Sequence, residues 1–174
     1  MIPMLPAEKI SKTLPAIDRN STAAFTGHRA ESLPWGFAEN DPRCAALKSA
    51  LASAIASAYA EGKRCFLSGM ASGADVYAAE EVLRLKSRFP DIRLVCVFPC
   101  PTGDPRAASI ASLADDSIVL AGEYCAGYMR QRNRFLVENS SLMIACYDGR
   151  SEGGTYRTLC LAQEKGLRII MIEP

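Results

Sequence analysis

The chain has 174 residues, which is the length of a single domain. Its 20 Lys and Arg residues against 19 Asp and Glu residues leave a net charge of +1, so no overall field draws it to nucleic acid or to an anionic membrane. Seven scattered cysteines without a Cys-x-x-Cys pair, together with one histidine, argue against a structural zinc site, and we expect no metal.

The first 20 residues contain three prolines and lack an apolar core of signal-peptide length. We interpret residues 1–20 as an extended lead-in and residues 21–174 as one domain. No stretch approaches the ~18 apolar residues that a membrane span requires. Scattered free cysteines are typical of a reducing compartment, so we expect a cytoplasmic protein that does not bind membranes.

Short apolar runs alternate with helical patterns along the domain. In the first half, Asp41-Pro42 is typical of a helix N-cap followed by proline at the first helical position, and Gly62 is expected to end that helix. These patterns predict strands over 23–25, 65–67 and 92–98, and helices over 41–62 and 75–88.

The second half repeats the alternation. It predicts helices over 104–116, over 128–139 and from the glycines at 153–154 to about Lys165, and strands over 117–121, 142–147 and 167–172. Continuous apolar strands between helices indicate an α/β protein with a mostly parallel sheet flanked by helices, a three-layer Rossmann-like fold. In such a sheet, ligands bind outside the carboxyl ends of the strands, at the point where the strand order reverses.

The segment from Ser68 to Asp75 lies between a predicted strand and a predicted helix and contains Gly69 and Gly73. Small residues at such a turn let backbone N–H groups approach a ligand, and the helix N-terminus favours a phosphate. The spacing is not that of a dinucleotide-binding or ATPase loop. Two roles remain open for Asp75: it caps the helix, or it accepts a hydrogen bond from a ribose hydroxyl.

A second glycine-containing loop runs from Gly149 to Tyr156 and offers the better phosphate cradle. Gly153, Gly154 and Thr155 combine free N–H groups, a hydroxyl and a helix start, with Arg150 and Arg157 nearby. The alternative is a loop in which Thr155 serves only as the helix N-cap.

Basic residues near helix or strand ends form a third group. The predicted helix over 128–139 begins with a basic cluster of Arg130, Arg132 and Arg134. Positive charge at a helix start opposes the helix dipole, and three explanations remain open: anion binding, a solvated face or a dimer salt bridge. His28 and Arg29 follow the first strand. Trp35 and Phe37 either stack on a base or cover the sheet edge.

Taken in order, these segments resemble the SLOG superfamily of Rossmann-like proteins, and within it the YpsA-like family of bacterial proteins. The resemblance covers about residues 22–174. The matching residues are Thr26, Gly27, His28 and Arg29, then Ser68, Gly69, Met70, Ala71, Gly73 and Asp75, then Arg132, Asn133 and Arg134, then Asp148, Gly149, Gly153, Gly154 and Thr155.

The same set is similar to the Rossmann domain of the DNA-processing protein DprA, which binds single-stranded DNA. It is also similar to the LOG-type phosphoribohydrolases, whose Pro-Gly-Gly-x-Gly-Thr-x-x-Glu motif ends in a carboxylate. Thr158 stands at that carboxylate position here, which argues against cleavage of an N-glycosidic bond unless Glu152 substitutes for it.

The resemblance implies that the chain binds a nucleotide or nucleotide derivative, as a sensor or adaptor. The binding residues that it implies are the residues matching the YpsA-like family given above, except Ala71. No cofactor other than such a nucleotide is implied. The first alternative is cleavage of a nucleotide N-glycosidic bond with Glu152 as a weak catalytic candidate. The second is single-stranded nucleic acid binding through Arg130, Arg132 and Arg134, which the near-zero charge disfavours. The relatives suggest a homodimer.

Overall fold

A computed structural model describes residues 15–123 and 126–174. The part of the predicted lead-in over residues 1–14 lies outside the described residues. Residues 15–20 lead through a short 3-10 turn, Arg19–Ser21, into the first strand. No helix in the described ranges is long and apolar enough to cross a membrane.

Six strands and five α-helices alternate along the described residues, as the sequence predicts. The strands are β1 (Thr22–Gly27), β2 (Cys65–Ser68), β3 (Arg93–Phe98), β4 (Asp116–Val119), β5 (Leu142–Cys146) and β6 (Arg168–Ile172). The helices are α1 (Pro42–Ala60), α2 (Ala74–Leu85), α3 (Pro105–Leu113), α4 (Tyr128–Glu138) and α5 (Gly153–Glu164).

All neighbouring strands are parallel, in the order β4-β3-β2-β1-β5-β6. The chain builds the sheet outward from β1 in one direction through β4, then returns to the other side of β1 with β5. The strand order therefore reverses between β1 and β5, and their carboxyl ends diverge there into a crevice.

Side chains alternate between the two faces of the sheet and form two separate cores. On one face, Phe25, Phe66 and Ile144 pack with residues of α1, α2 and α3. On the other face, Leu67 and Met143 pack with residues of α4 and α5. Helices cover both faces, which confirms the predicted three-layer α/β fold and explains why the strands are apolar throughout.

Several helix ends are set by the residues that the sequence indicates. The Asp41 carboxylate accepts a hydrogen bond from the Arg43 amide at 2.8 Å, with Pro42 at the first helical position. Gly62 follows the end of α1 with a φ of +99°. Helix α2 departs from expectation, because it ends at Leu85 rather than near residue 88 and its N-cap is Gly73. The interpretation of Asp75 as that cap is therefore wrong.

Gly73 fixes the loop after β2 against the loop after β1. Its φ is +88°, and a Cβ there would lie 2.6 Å from the Ala30 amide nitrogen and 2.7 Å from the His28 carbonyl oxygen. The Ala74 amide also donates to that carbonyl at 3.2 Å. Since backbone atoms cannot move aside as a flexible side chain can, only glycine allows this approach.

Replacing Gly73 with alanine is expected to lower the free energy of unfolding by about 2–5 kcal/mol, because left-handed strain and overpacking add together. Gly62→Ala is the matched control: φ is also positive, but a Cβ would meet no described atom within 4 Å, so about 1 kcal/mol is expected. Urea unfolding measures both. Equal losses would contradict the close packing of the two loops.

Candidate functional site

A pocket of about 210 Å³ lies at the carboxyl ends of β1 and β5, where the strand order reverses. We call it the switch-point pocket. Its walls come from β1 and the loop after it, the start of α2 with the loop before it, α4, and the start of α5. The lining residues are Phe25, Thr26, Gly27, His28, Arg29, Ser32, Ala71, Asp75, Met129, Arg132, Asn133, Leu136, Arg150, Glu152, Gly153, Gly154 and Thr155.

The N-terminus of α5 forms one wall. Helix α5 begins at Gly153, so the amides of Gly153, Gly154 and Thr155 belong to its first turn and have no carbonyl partner within the helix. The N-cap residue is Glu152, which makes no side-chain capping bond, and the first turn contains no acidic residue. Thr155 is therefore not the N-cap, and these amides are oriented as an anion-binding helix end requires.

Gly154 leaves open space at this wall. A Cβ placed on it would meet no described atom within 4 Å. Thr158 lies one turn further on, is buried, and donates its hydroxyl to the Gly154 carbonyl at 2.9 Å. The position at which the LOG-type motif carries a carboxylate is thus occupied by an internal hydrogen bond of the helix.

Arg132 of α4 also lines the pocket and is 7% exposed. Its Nη1 donates to the Gly69 carbonyl at 2.7 Å, and its Nε and Nη2 donate to Asn133 Oδ1 at 3.1 and 2.9 Å. These three bonds use three of the five guanidinium N–H groups. The other two have no partner among the described residues, and burial lowers the pKa of Arg132, so an anion beside the guanidinium would compensate a desolvated charge.

Gly69 makes room for that guanidinium. A Cβ at residue 69 would lie 2.9 Å from Arg132 Nε and 3.0 Å from its Cζ. Gly69 therefore leaves space for the Arg132 guanidinium, and it does not line the switch-point pocket. Ser68 supports the same turn, since its hydroxyl donates to the Asp75 carbonyl at 2.9 Å and accepts from the Met70 amide at 3.2 Å.

Asp75 is 5% exposed and lines the pocket from the first turn of α2. Its Oδ2 accepts a long hydrogen bond, 3.4 Å, from the Ala71 amide, and its Oδ1 has no hydrogen-bond partner among the described residues. No ion pair joins it to Arg132, whose guanidinium is directed to Gly69 and Asn133. Burial raises the pKa of Asp75 to about 6, although Arg132 and Arg29 oppose the rise.

His28 closes the pocket beside Asp148 and is 6% exposed. Its Nε2 lies 3.2 Å from the Asp148 amide nitrogen and 2.9 Å from Asp148 Oδ1. A protonated Nε2 would donate to that carboxylate, whereas an unprotonated Nε2 would accept from the amide. Arg150 grips the same carboxylate and holds the pKa of Asp148 well below its usual range, with a smaller contribution from His28.

Of the residues predicted to bind a ligand, ten line the switch-point pocket: Thr26, Gly27, His28, Arg29, Asp75, Arg132, Asn133, Gly153, Gly154 and Thr155. The weak catalytic candidate Glu152 lines it too. Seven do not: Ser68, Gly69, Met70, Gly73, Arg134, Asp148 and Gly149. Among these, Gly69 and Met70 line an adjacent cavity of about 240 Å³ that shares Arg29, Ala71, Met129 and Arg132 with the pocket.

Arg134 points elsewhere. Its Nε donates to Glu138 Oε1 at 2.7 Å, one turn along α4. Residues 130 and 134 lie on one face of the helix, while residue 132 lies about 200° around the axis from each. The three arginines therefore do not form one continuous basic surface.

Four pocket residues that sequence analysis missed are Phe25, Ser32, Met129 and Leu136. Met129 and Leu136 lie on α4. Both share a face of α4 with Arg132 and Asn133, at the i, i+3, i+4, i+7 spacing of a helix surface. That spacing was the available signal.

Of the aromatic candidates, Trp35 is buried in the core and Phe37 is 75% exposed, so the sheet-edge role fits Trp35.

A family model described as the YspA SLOG family matches residues 23–168. The match runs from the second residue of β1 to the first residue of β6 and contains every residue that lines the switch-point pocket. A comparison with curated proteins gives no match.

Asp75→Asn is expected to stabilise the folded chain near pH 7. A carboxyl whose pKa is raised on folding holds its proton more tightly in the native state, so its ionisation destabilises that state as pH rises above 3.8. A native pKa of about 6 corresponds to a difference of up to about 3 kcal/mol above pH 6.

Urea unfolding at pH 4 and pH 7 measures this difference. The variant should gain stability relative to wild type at pH 7 and little at pH 4. Glu81→Gln, on the same helix but paired with Arg84, is the control and should show no such gain. An Asp75→Asn variant that is equally or less stable at pH 7 would contradict the cost of this buried carboxylate.

Proposed function

The chain belongs to the YspA SLOG family, and on that premise we propose that it binds a nucleotide or nucleotide derivative in the switch-point pocket as a sensor or adaptor. The observation that carries the proposal is that two buried charged groups in this pocket lack a full set of hydrogen-bond partners. Arg132 retains free N–H groups, and Asp75 retains a free carboxylate oxygen, although both side chains are buried.

Burying charged groups without direct pairing costs free energy. Such groups are therefore typical of sites where a ligand supplies the missing hydrogen bonds and the opposite charge. A phosphate satisfies the amides of α5 and the remaining N–H groups of Arg132. Arg29, exposed at the mouth of the pocket, adds a further positive charge. A phosphate-bearing ligand is therefore the chemical class that this wall favours.

The position of the pocket supports the same proposal. It lies at the strand-order reversal of a parallel sheet, the place where α/β proteins of this type bind ligands. Its volume of about 210 Å³ is below the roughly 300 Å³ of a typical small-molecule pocket. It therefore suits the sugar and phosphate of a nucleotide, with the base extending outward.

Cleavage of a nucleotide N-glycosidic bond is the second candidate, favoured by one observation: Glu152 lines the pocket beside the α5 amides. We expect that any release of base from a nucleoside monophosphate depends on this carboxylate. Chromatography of AMP and GMP after incubation with the protein would detect free base. Glu152→Gln should abolish release and leave nucleotide binding intact; release that survives in Glu152→Gln would assign the reaction to another group.

Binding is tested first by thermal unfolding against mono- and diphosphates, NAD, ADP-ribose and a short single-stranded oligonucleotide. A ligand at 100 times its Kd adds about 2.7 kcal/mol, which for a chain of this size raises Tm by about 5–10 °C. A shift by the oligonucleotide alone, falling steeply with salt, would instead favour nucleic acid binding.

Gly154→Asp tests the phosphate cradle. Since a Cβ at residue 154 meets open space and an acidic residue favours a helix N-terminus, the variant should fold with equal or greater stability. Its negative charge should repel the phosphate and remove the ligand-induced rise in Tm. Gly154→Asn has the same shape without charge and is the matched control, expected to keep most of the shift. Ligand shifts unchanged in Gly154→Asp would place the phosphate elsewhere.

A further inference from the structure

The switch-point pocket is lined by two kinds of polar group. The first-turn amides of α5 and the guanidinium of Arg132 offer donors and positive charge. The carboxylate of Asp75 is a negative group that accepts hydrogen bonds and repels phosphate. A ligand that satisfies both kinds of group carries an anionic group and, close to it, a hydrogen-bond donor.

Asp75 is poised to accept. The side chain is 5% exposed and lines the pocket. Its Oδ1 has no partner among the described residues, while Oδ2 has only the 3.4 Å bond from Ala71. Arg132, the nearest buried cation, donates its described hydrogen bonds to Gly69 and Asn133 rather than to Asp75. A buried acceptor without a partner loses a hydrogen bond that a ligand donor can restore.

The connectivity of a nucleotide identifies that donor. The sugar is bonded directly to the phosphate, so a phosphate at α5 brings the sugar hydroxyls, rather than the base, into the remainder of a pocket of about 210 Å³. A hydroxyl donates a strong hydrogen bond to an ionised carboxylate. The adjacent cavity beyond Ala71, Met129 and Arg132 leaves space for the base.

We propose that the switch-point pocket selects ribonucleotides over 2′-deoxyribonucleotides, because the 2′-hydroxyl donates a hydrogen bond to the Asp75 carboxylate. This inference rests on the proposed nucleotide-binding function. It assigns Asp75 the role of a specificity-determining residue, and it separates the task of Asp75 from that of the α5 amides, which hold phosphate whatever the sugar.

The experiment is calorimetric titration of the full chain with AMP, ADP and GMP and with their 2′-deoxy counterparts. It is run at about pH 8, above the pKa of about 6 of Asp75, so that the carboxylate is ionised. Loss of a hydrogen bond to a charged group costs about 1.5–3 kcal/mol, so the ribonucleotide should bind about tenfold to a hundredfold more tightly.

Asp75→Asn should reduce that preference to within about threefold, mainly by weakening ribonucleotide binding. Glu81→Gln, on the same helix and outside the pocket, should retain the wild-type preference. Circular dichroism and the urea midpoint establish that both variants are folded.

Each other outcome overturns the inference in a distinguishable way. Equal affinity of wild type for ribo- and deoxyribonucleotides leaves the proposed function standing but removes the role of Asp75; a donor on the base would give this result. A ribonucleotide preference that persists in Asp75→Asn moves the selection to another residue. Failure of every nucleotide to bind would remove the proposed function, and this inference with it.

Discussion

The contact between the Arg132 guanidinium and residue 69 is the constraint on which the site depends. Arg132 reaches from α4 to the loop after β2, donates to the Gly69 carbonyl, and lies so close that a Cβ at residue 69 would force the guanidinium to shift. Helix α4 and that loop are 63 positions apart in the chain. Their contact forms the boundary between the switch-point pocket and its neighbouring cavity.

Close backbone packing extends this constraint to the loop after β1. Gly73 lies against the backbone of His28 and Ala30, and Gly27 against Ala74 and Cys146, with distances too short for a Cβ. The glycines of this site thus fall into two groups. Those at 27, 69 and 73 bring protein segments together, whereas Gly153 and Gly154 face open space beside the helix start.

Stability and binding oppose each other at this pocket. Burial raises the pKa of Asp75 and lowers that of Arg132. Burial thus favours the neutral form of each side chain, and keeping either one charged costs free energy. The large apolar cores on the two faces of the sheet offset this cost. We expect a neutral side chain at residue 75 to suit the fold better, which is consistent with the proposed role of this carboxylate in ligand binding.

Much of the architecture could be predicted from sequence, because apolar strands, the Asp41-Pro42 helix start and the Gly62 helix end are local signals. The family was also accessible, since Thr26–Arg29, Ser68–Asp75 and Gly153–Thr155 occur in a characteristic order. The roles of individual residues were less accessible. Gly69 and Gly73 resemble ligand-binding glycines, yet they pack against Arg132 and the β1 loop, and Arg134 pairs with Glu138; each depends on tertiary neighbours that spacing alone does not identify.

The hydrogen bond between the Asp148 amide and His28 Nε2 joins residues 120 positions apart, and it has a consequence for how the protein matures. During synthesis β1 emerges well before β5 and α5, so the pocket is incomplete until these later elements have been made. Contacts of such long sequence separation form late and slowly. A ligand bound in the pocket would therefore recognise only molecules in which β5 and α5 have folded against β1, and its binding energy would protect the entire sheet against unfolding rather than a single loop.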